Sequence, residues 1–140
     1  MTQFNAEAVA YPLPLAIEPA DEVLVGPAEI VSVIGFPLGL GVNGCFAIWV
    51  TGFVATDPRI DYGGLPVFLI DCRTRKGQSG SPVVAYRSGG SVFREDGGVS
   101  IAGHAAVRTL GVYTGRINEE SDLGMVWKWE AVVELARSVP

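Results

Sequence analysis

Histidine is almost missing from this chain: His104 is the only one in 140 residues. No metal site of the histidine and cysteine type can be built around it, because no cysteine pair has ligand spacing either. Nothing in the sequence calls for a metal or another cofactor. Cysteine is equally scarce, with Cys45 and Cys72 alone. A disulfide framework needs more in a chain this size, so both read as free, buried thiols near strand ends. No apolar run reaches the length of a membrane span. The first residues lack a basic stretch followed by an apolar one, so no signal peptide is visible and the compartment stays open, the cytoplasm included. Cations are outnumbered, 10 lysines and arginines against 15 acids, for a net charge of −5. That balance argues against a nucleic-acid partner, whose phosphates demand cationic residues. Helical periodicity is missing from all but the last segment.

What is abundant points to strands and turns. Eighteen glycines and nine prolines punctuate a chain that is 49% hydrophobic and only 18% charged. This is the composition of one folded all-β domain. Residues 1–25 include Tyr11-Pro12-Leu13-Pro14-Leu15. Alternating prolines cannot supply ladder donors, so this stretch reads as an extended linker leading in from something else. Strands are expected at Glu29 to Phe36, Cys45 to Ala55, Val67 to Cys72, Ser81 to Tyr86, Leu110 to Ile117 and Leu123 to Trp127. Val99 to Val107, which contains His104, is only weakly strand-like. Asn43-Gly44 and Gly63-Gly64 mark turns, and residues 88–98 read as an exposed loop tip. Trp129, Val132, Val133 and Ala136 share one helical face. The expected fold is all-β: residues 26–140 form a six-stranded antiparallel, Greek-key-like barrel with a short C-terminal α-helix. Barrel closure hides the edges that a flat sheet would expose.

The densest run of small residues is Gly77-Gln78-Ser79-Gly80-Ser81-Pro82-Val83. Glycines on both sides of a serine permit a tight turn with inward-pointing amides. Such a turn can present a hydroxyl beside two convergent donors, as an acyl-transfer nucleophile requires. Taken alone, it also reads as an ordinary Gly-Ser hairpin turn. Arg73, Arg75 and Lys76 lead into it, either as a solvated loop or as a positive rim beside a cleft.

Four segments, in order, resemble the C-terminal barrel of trypsin-like serine peptidases of the chymotrypsin fold, bacterial type. They are Val33-Ile34-Gly35-Phe36-Pro37, then Ile70-Asp71 with Thr74 and the G-Q-S-G-S-P-V run, then Leu110-Gly111-Val112-Tyr113-Thr114-Gly115, then Leu123-Gly124-Met125-Val126-Trp127 with its helix. The resemblance covers about residues 25–137. It implies that Ser79 is the nucleophile and that the amides of Gly77 and Ser79 form the oxyanion hole. It places Thr74 at a wall of the primary specificity pocket. It places Val112, Tyr113 and Thr114 on the strand that forms the opposite wall and pairs with a protein or peptide substrate by β-augmentation. Three departures accompany it. Gln78 stands where many animal members carry an acid that pairs with a new N-terminus, so that zymogen switch is not expected. Tyr113 stands where some acid-specific bacterial members use histidine, though Arg75, Lys76 and Arg116 would still suit an acidic side chain.

The largest departure is that the family's histidine base and orienting aspartate belong to an N-terminal barrel, while residues 1–25 resemble the segment that follows it. A missing N-terminal barrel or a partner chain would have to supply both residues. Asp71 alone is a weak activator of serine, and His104 is not at a family catalytic position. Without a base, at most weak catalysis is expected. The apolar face left uncovered would favour self-association. The alternative is a non-catalytic protease-like module that binds extended peptides or partner proteins.

Overall fold

The computed structural model describes residues 23–43 and 46–139. Eight strands lie among these residues: β1 (Ile30–Gly35), β2 (Ile48–Val54), β3 (Val67–Asp71), β4 (Pro82–Arg87), β5 (Gly90–Phe93), β6 (Val99–Ala102), β7 (Ala106–Arg116) and β8 (Leu123–Lys128). One α-helix among the described residues, α1 (Trp129–Ser138), follows β8. Six strands close into an antiparallel barrel in the order β1-β2-β3-β8-β7-β4, with β4 pairing back to β1. The out-of-sequence step from β3 to β8 gives the barrel its Greek-key-like character. The strands β5 and β6 form a separate two-stranded hairpin.

Alternation explains which residues fill the barrel. In β1, Val31 and Val33 point inward, where they meet Val83, Phe68, Ile70 and Val126 in one core. Ser32 faces outward and shares a hydroxyl hydrogen bond of 2.9 Å with Thr51 on β2. Since Ser32 is itself buried, β1 is covered on both faces at its centre, whereas Ile30 at its start is exposed. On β2 the aromatic residues Trp49 and Phe53 point outward, and the Trp49 ring meets Tyr86 edge to face at 5.7 Å. Helix α1 packs on β7 and β8 with Trp129 and Val133 buried, while Ala136 stays exposed. Glu130 in its first turn and Arg137 in its last complement the helix dipole.

Several expected boundaries move. Residues 88–98 are not only a loop tip, since β5 occupies Gly90–Phe93 and buries Val92 in the core. The weak strand over Val99 to Val107 splits into β6 and the start of β7, with His104 exposed in the bend between them. β7 starts four residues before Leu110 because Ala106 and Val107 pair with Arg87 and Tyr86. Val23 and Val25 belong to the core, and Leu24 donates to the Phe93 carbonyl at 2.8 Å. Residues ahead of β1 thus add to the core without joining the barrel sheet. Residues 1–22 of the expected linker, and Cys45, lie outside the described residues. Cys72 is a free, buried thiol as expected. Burial and the nearby Asp71 and Asp122 push its pKa up to about 11.

Candidate functional site around the Ser79 turn

The turn that carries Ser79 is held from three sides. From within, the Gln78 side chain is fully buried, and its Oε1 accepts the Arg75 N–H at 2.8 Å. The Gln78 N–H in turn donates to the Arg75 carbonyl at 3.3 Å, and Ser81 N–H donates to Gln78 at 3.0 Å. From β7, Gly80 N–H donates to the Tyr113 carbonyl at 2.8 Å, and Tyr113 N–H donates to Ser81 at 2.9 Å. From the end of β1, a short 3-10 turn over Pro37–Gly39 sits against the loop, where Leu38 N–H donates to the Lys76 carbonyl at 2.6 Å.

Glycine is required at two contact points. Gly77 has φ +93°, and a Cβ there would lie 2.7 Å from the Phe36 carbonyl oxygen. Gly35 approaches so closely that a Cβ would lie 2.1 Å from Ser81 Oγ. Both sites force the chain to be bare where β1 and the turn touch.

These contacts leave Ser79 exposed on the outside of the turn. Its hydroxyl donates to the Thr114 carbonyl at 3.0 Å. Among the described residues, the amides of Gly77 and Ser79 have no hydrogen-bond acceptor. Two N–H groups in the turn, that of Gly77 and that of the exposed serine itself, are thus without an acceptor, and unengaged donors of this kind are what an oxyanion needs. Removing one such donor typically costs about 3–4 kcal/mol of transition-state stabilisation.

The other predicted residues divide in two. Thr114 is exposed and Val112 half-buried, the latter paired with Pro82 and Trp127. Thr74 and Tyr113 are 0% and 2% exposed, and their hydroxyls bond to each other at 2.5 Å. Burial pushes the Tyr113 hydroxyl pKa up, against an opposite pull from the Thr74 hydrogen bond. The Tyr113 side chain therefore belongs to the core and not to an open wall.

No base stands beside the serine among the described residues. His104 precedes β7 at Ala106, while Ser79 is anchored near its far end at Thr114. Eight residues of strand separate those ends by about 26 Å. The antiparallel partner agrees: Ser79 precedes the start of β4, whereas Ala106 pairs with Arg87 at its end. Asp71 closes β3 opposite Phe53 and Leu123, and the Ser79 hydroxyl is directed to Thr114 instead.

Charge and apolar surface gather near the turn. Arg73, Arg75 and Lys76 are exposed in the segment leading into it, and Arg116 lies close enough to act on the Tyr113 hydroxyl. None of the four forms an ion pair among the described residues. Arg75 Nη1 caps the Thr74 carbonyl, and Arg116 Nη1 reaches the Glu119 carbonyl. Phe36, Leu38 and Leu40, beside the turn, are all exposed.

Sequence reasoning did not anticipate the two supports of the turn. Gln78 was visible only as a departure from an acid, not as an amide folded back on Arg75. The seat formed by Phe36 to Gly39 has one signal, the Gly35-Phe36-Pro37-Leu38-Gly39 run, where glycines bracket a proline-centred apolar stretch. No family model, curated protein or solved structure matches the chain.

Proposed function

We propose that this chain is the nucleophile-bearing barrel of a trypsin-like serine endopeptidase, with Ser79 as the attacking residue. One observation carries the reading. Ser79 is exposed on a rigid turn between the unengaged amides of Gly77 and Ser79 itself. In the reaction, the Ser79 hydroxyl leaves the Thr114 carbonyl and attacks a peptide carbonyl. Its proton passes to an imidazole base, and the two amides hold the oxyanion that forms.

That base comes from outside these 140 residues, because His104 lies at the other end of β7. The orienting aspartate comes with it, on an N-terminal barrel or a separate partner chain. The exposed Phe36, Leu38 and Leu40 beside the turn give such a partner an apolar footing. Without it, the isolated chain has little or no peptidase activity.

A second reading is supported by the same hydrogen bond that parks the serine. A hydroxyl held by a carbonyl with no base nearby suits a module that binds peptides or partner proteins without cleaving them. The mass of the native protein in its source cells, read with an antibody against this chain, separates the two. The peptidase reading expects a covalent or assembled species much larger than 14.8 kDa that contains a second barrel. A species of 14.8 kDa with no associated chain favours the binding module.

A further inference from the structure

A peptide held by its carbonyl at Ser79 must place the adjoining side chain somewhere, and the barrel end beside Ser79 is already filled. Tyr113 directly precedes Thr114, whose carbonyl takes the Ser79 hydroxyl. The Tyr113 N–H and carbonyl are both bonded to the turn, at Ser81 and Gly80. Its ring therefore hangs from the same backbone that holds the serine. It packs against Gly124 of β8, where a Cβ would lie 2.5 Å from a ring carbon. Thr74 approaches from the segment that leads into the turn, and the two hydroxyls meet with almost no exposure. A large side chain entering here would have to move the ring and break a buried hydrogen bond. A polar one would have to replace that bond on both hydroxyls.

We propose that Tyr113 and Thr74 plug the side-chain pocket beside Ser79, so that the site takes peptides with glycine or alanine at the reacting carbonyl. This rests on Ser79 being the acylating residue. Glycine needs no pocket, and a single methyl group can lie along exposed Thr114 without entering the barrel end. Tyr113 acts here as a specificity-determining residue because its ring occupies the volume that a larger side chain would need.

The test uses the isotope-labelled 140-residue chain and short peptides that differ only in a C-terminal glycine, alanine, glutamate, phenylalanine or arginine. Each ends in a free carboxylate, which occupies the place of the reacting carbonyl and accepts from the Gly77 and Ser79 amides. Amide shifts of these two residues give the affinities. The proposal expects the glycine and alanine peptides to bind at least tenfold more tightly than the other three. Tyr113→Ala should then bring the phenylalanine peptide up at least tenfold, and Tyr113→Leu serves if the alanine variant does not fold. Equal affinities, or a preference for a large residue, overturn the plugged pocket while leaving the acyl-transfer reading in place. If neither amide responds to any peptide, the acyl-transfer reading falls and the pocket falls with it.

Discussion

At the Ala106 end of β7, cations meet carboxylates: Arg108 reaches Glu95 at 2.6 Å, and Arg87 on the neighbouring strand reaches Glu29 at 2.5 Å. At the Arg116 end, the cations Arg75, Lys76 and Arg116 have no acidic partner among the described residues, and the backbone is cross-bonded instead. The first end carries the β5–β6 hairpin and the lone histidine. The second carries the Ser79 turn. One end is finished as a surface. The other is cross-bonded in its backbone and holds cations that form no ion pair among the described residues, although Asp71 and Asp122 lie near Cys72 at the same end, together with an exposed hydroxyl and two unengaged amides. Under the proposed acyl-transfer reading, such donors would need no reorganisation when negative charge develops.

The same substitution at both ends breaks this comparison most sharply. Gly77→Ala places a methyl group against the Phe36 carbonyl in a left-handed conformation. It should destabilise the barrel by about 3 kcal/mol. Gly97→Ala, in the β5–β6 turn at φ +82° with open space around it, should cost only about 1 kcal/mol. Denaturant midpoints of the two variants give the ratio. Equal losses would mean that the two ends are equally tolerant.

The next effect is smaller. Tyr113→Phe removes the buried bond to Thr74 and leaves that hydroxyl without its partner. A loss of about 1–2 kcal/mol in unfolding free energy is expected. Charge substitutions should separate the ends again. Arg108→Ala loses an ion pair and up to about 1 kcal/mol, in a salt-dependent way. Lys76→Ala should change stability by no more than about 0.5 kcal/mol in either direction.

Much of this architecture is legible in the amino-acid order. The apolar runs at β1, β3, β4 and β8 and the period of α1 announce themselves, and the glycine-flanked Ser79 marks the turn. The hairpin does not, because β5 and β6 are four residues each and mix glycine and serine with apolar positions. Their pairing depends on Val92 finding the core, which is a long-range event with no local period. The role of Val23 and Val25 is hidden for the same reason. Tyr113 is legible as a member of the β7 strand but not as a core residue. Which way its side chain points depends on a register shift between Tyr113 and Gly115 opposite β8, and a bulge leaves no mark in a period-two pattern.

The effect expected to be smallest at neutral pH concerns Cys72. Its thiol is held neutral by burial, with a pKa near 11 against 9.0 for an ordinary thiol. Its contribution to stability is therefore complete below about pH 8.5 and declines as the pH rises toward 11, because the unfolded chain ionises first. In a Cys45→Ser background, a thiol reagent at pH 8 should modify Cys72 only at the rate of unfolding. Immediate modification of the folded chain would contradict its burial.

The central claim is that Ser79 is a nucleophile whose base arrives from elsewhere. A fluorophosphonate probe tests it most directly, since it reacts with a serine only when a base activates the hydroxyl. The probe should label Ser79 in the native protein taken from its source cells and leave the purified 140-residue chain unlabelled. Native protein that shows no label at Ser79 would contradict the account, as would equal labelling of the isolated chain.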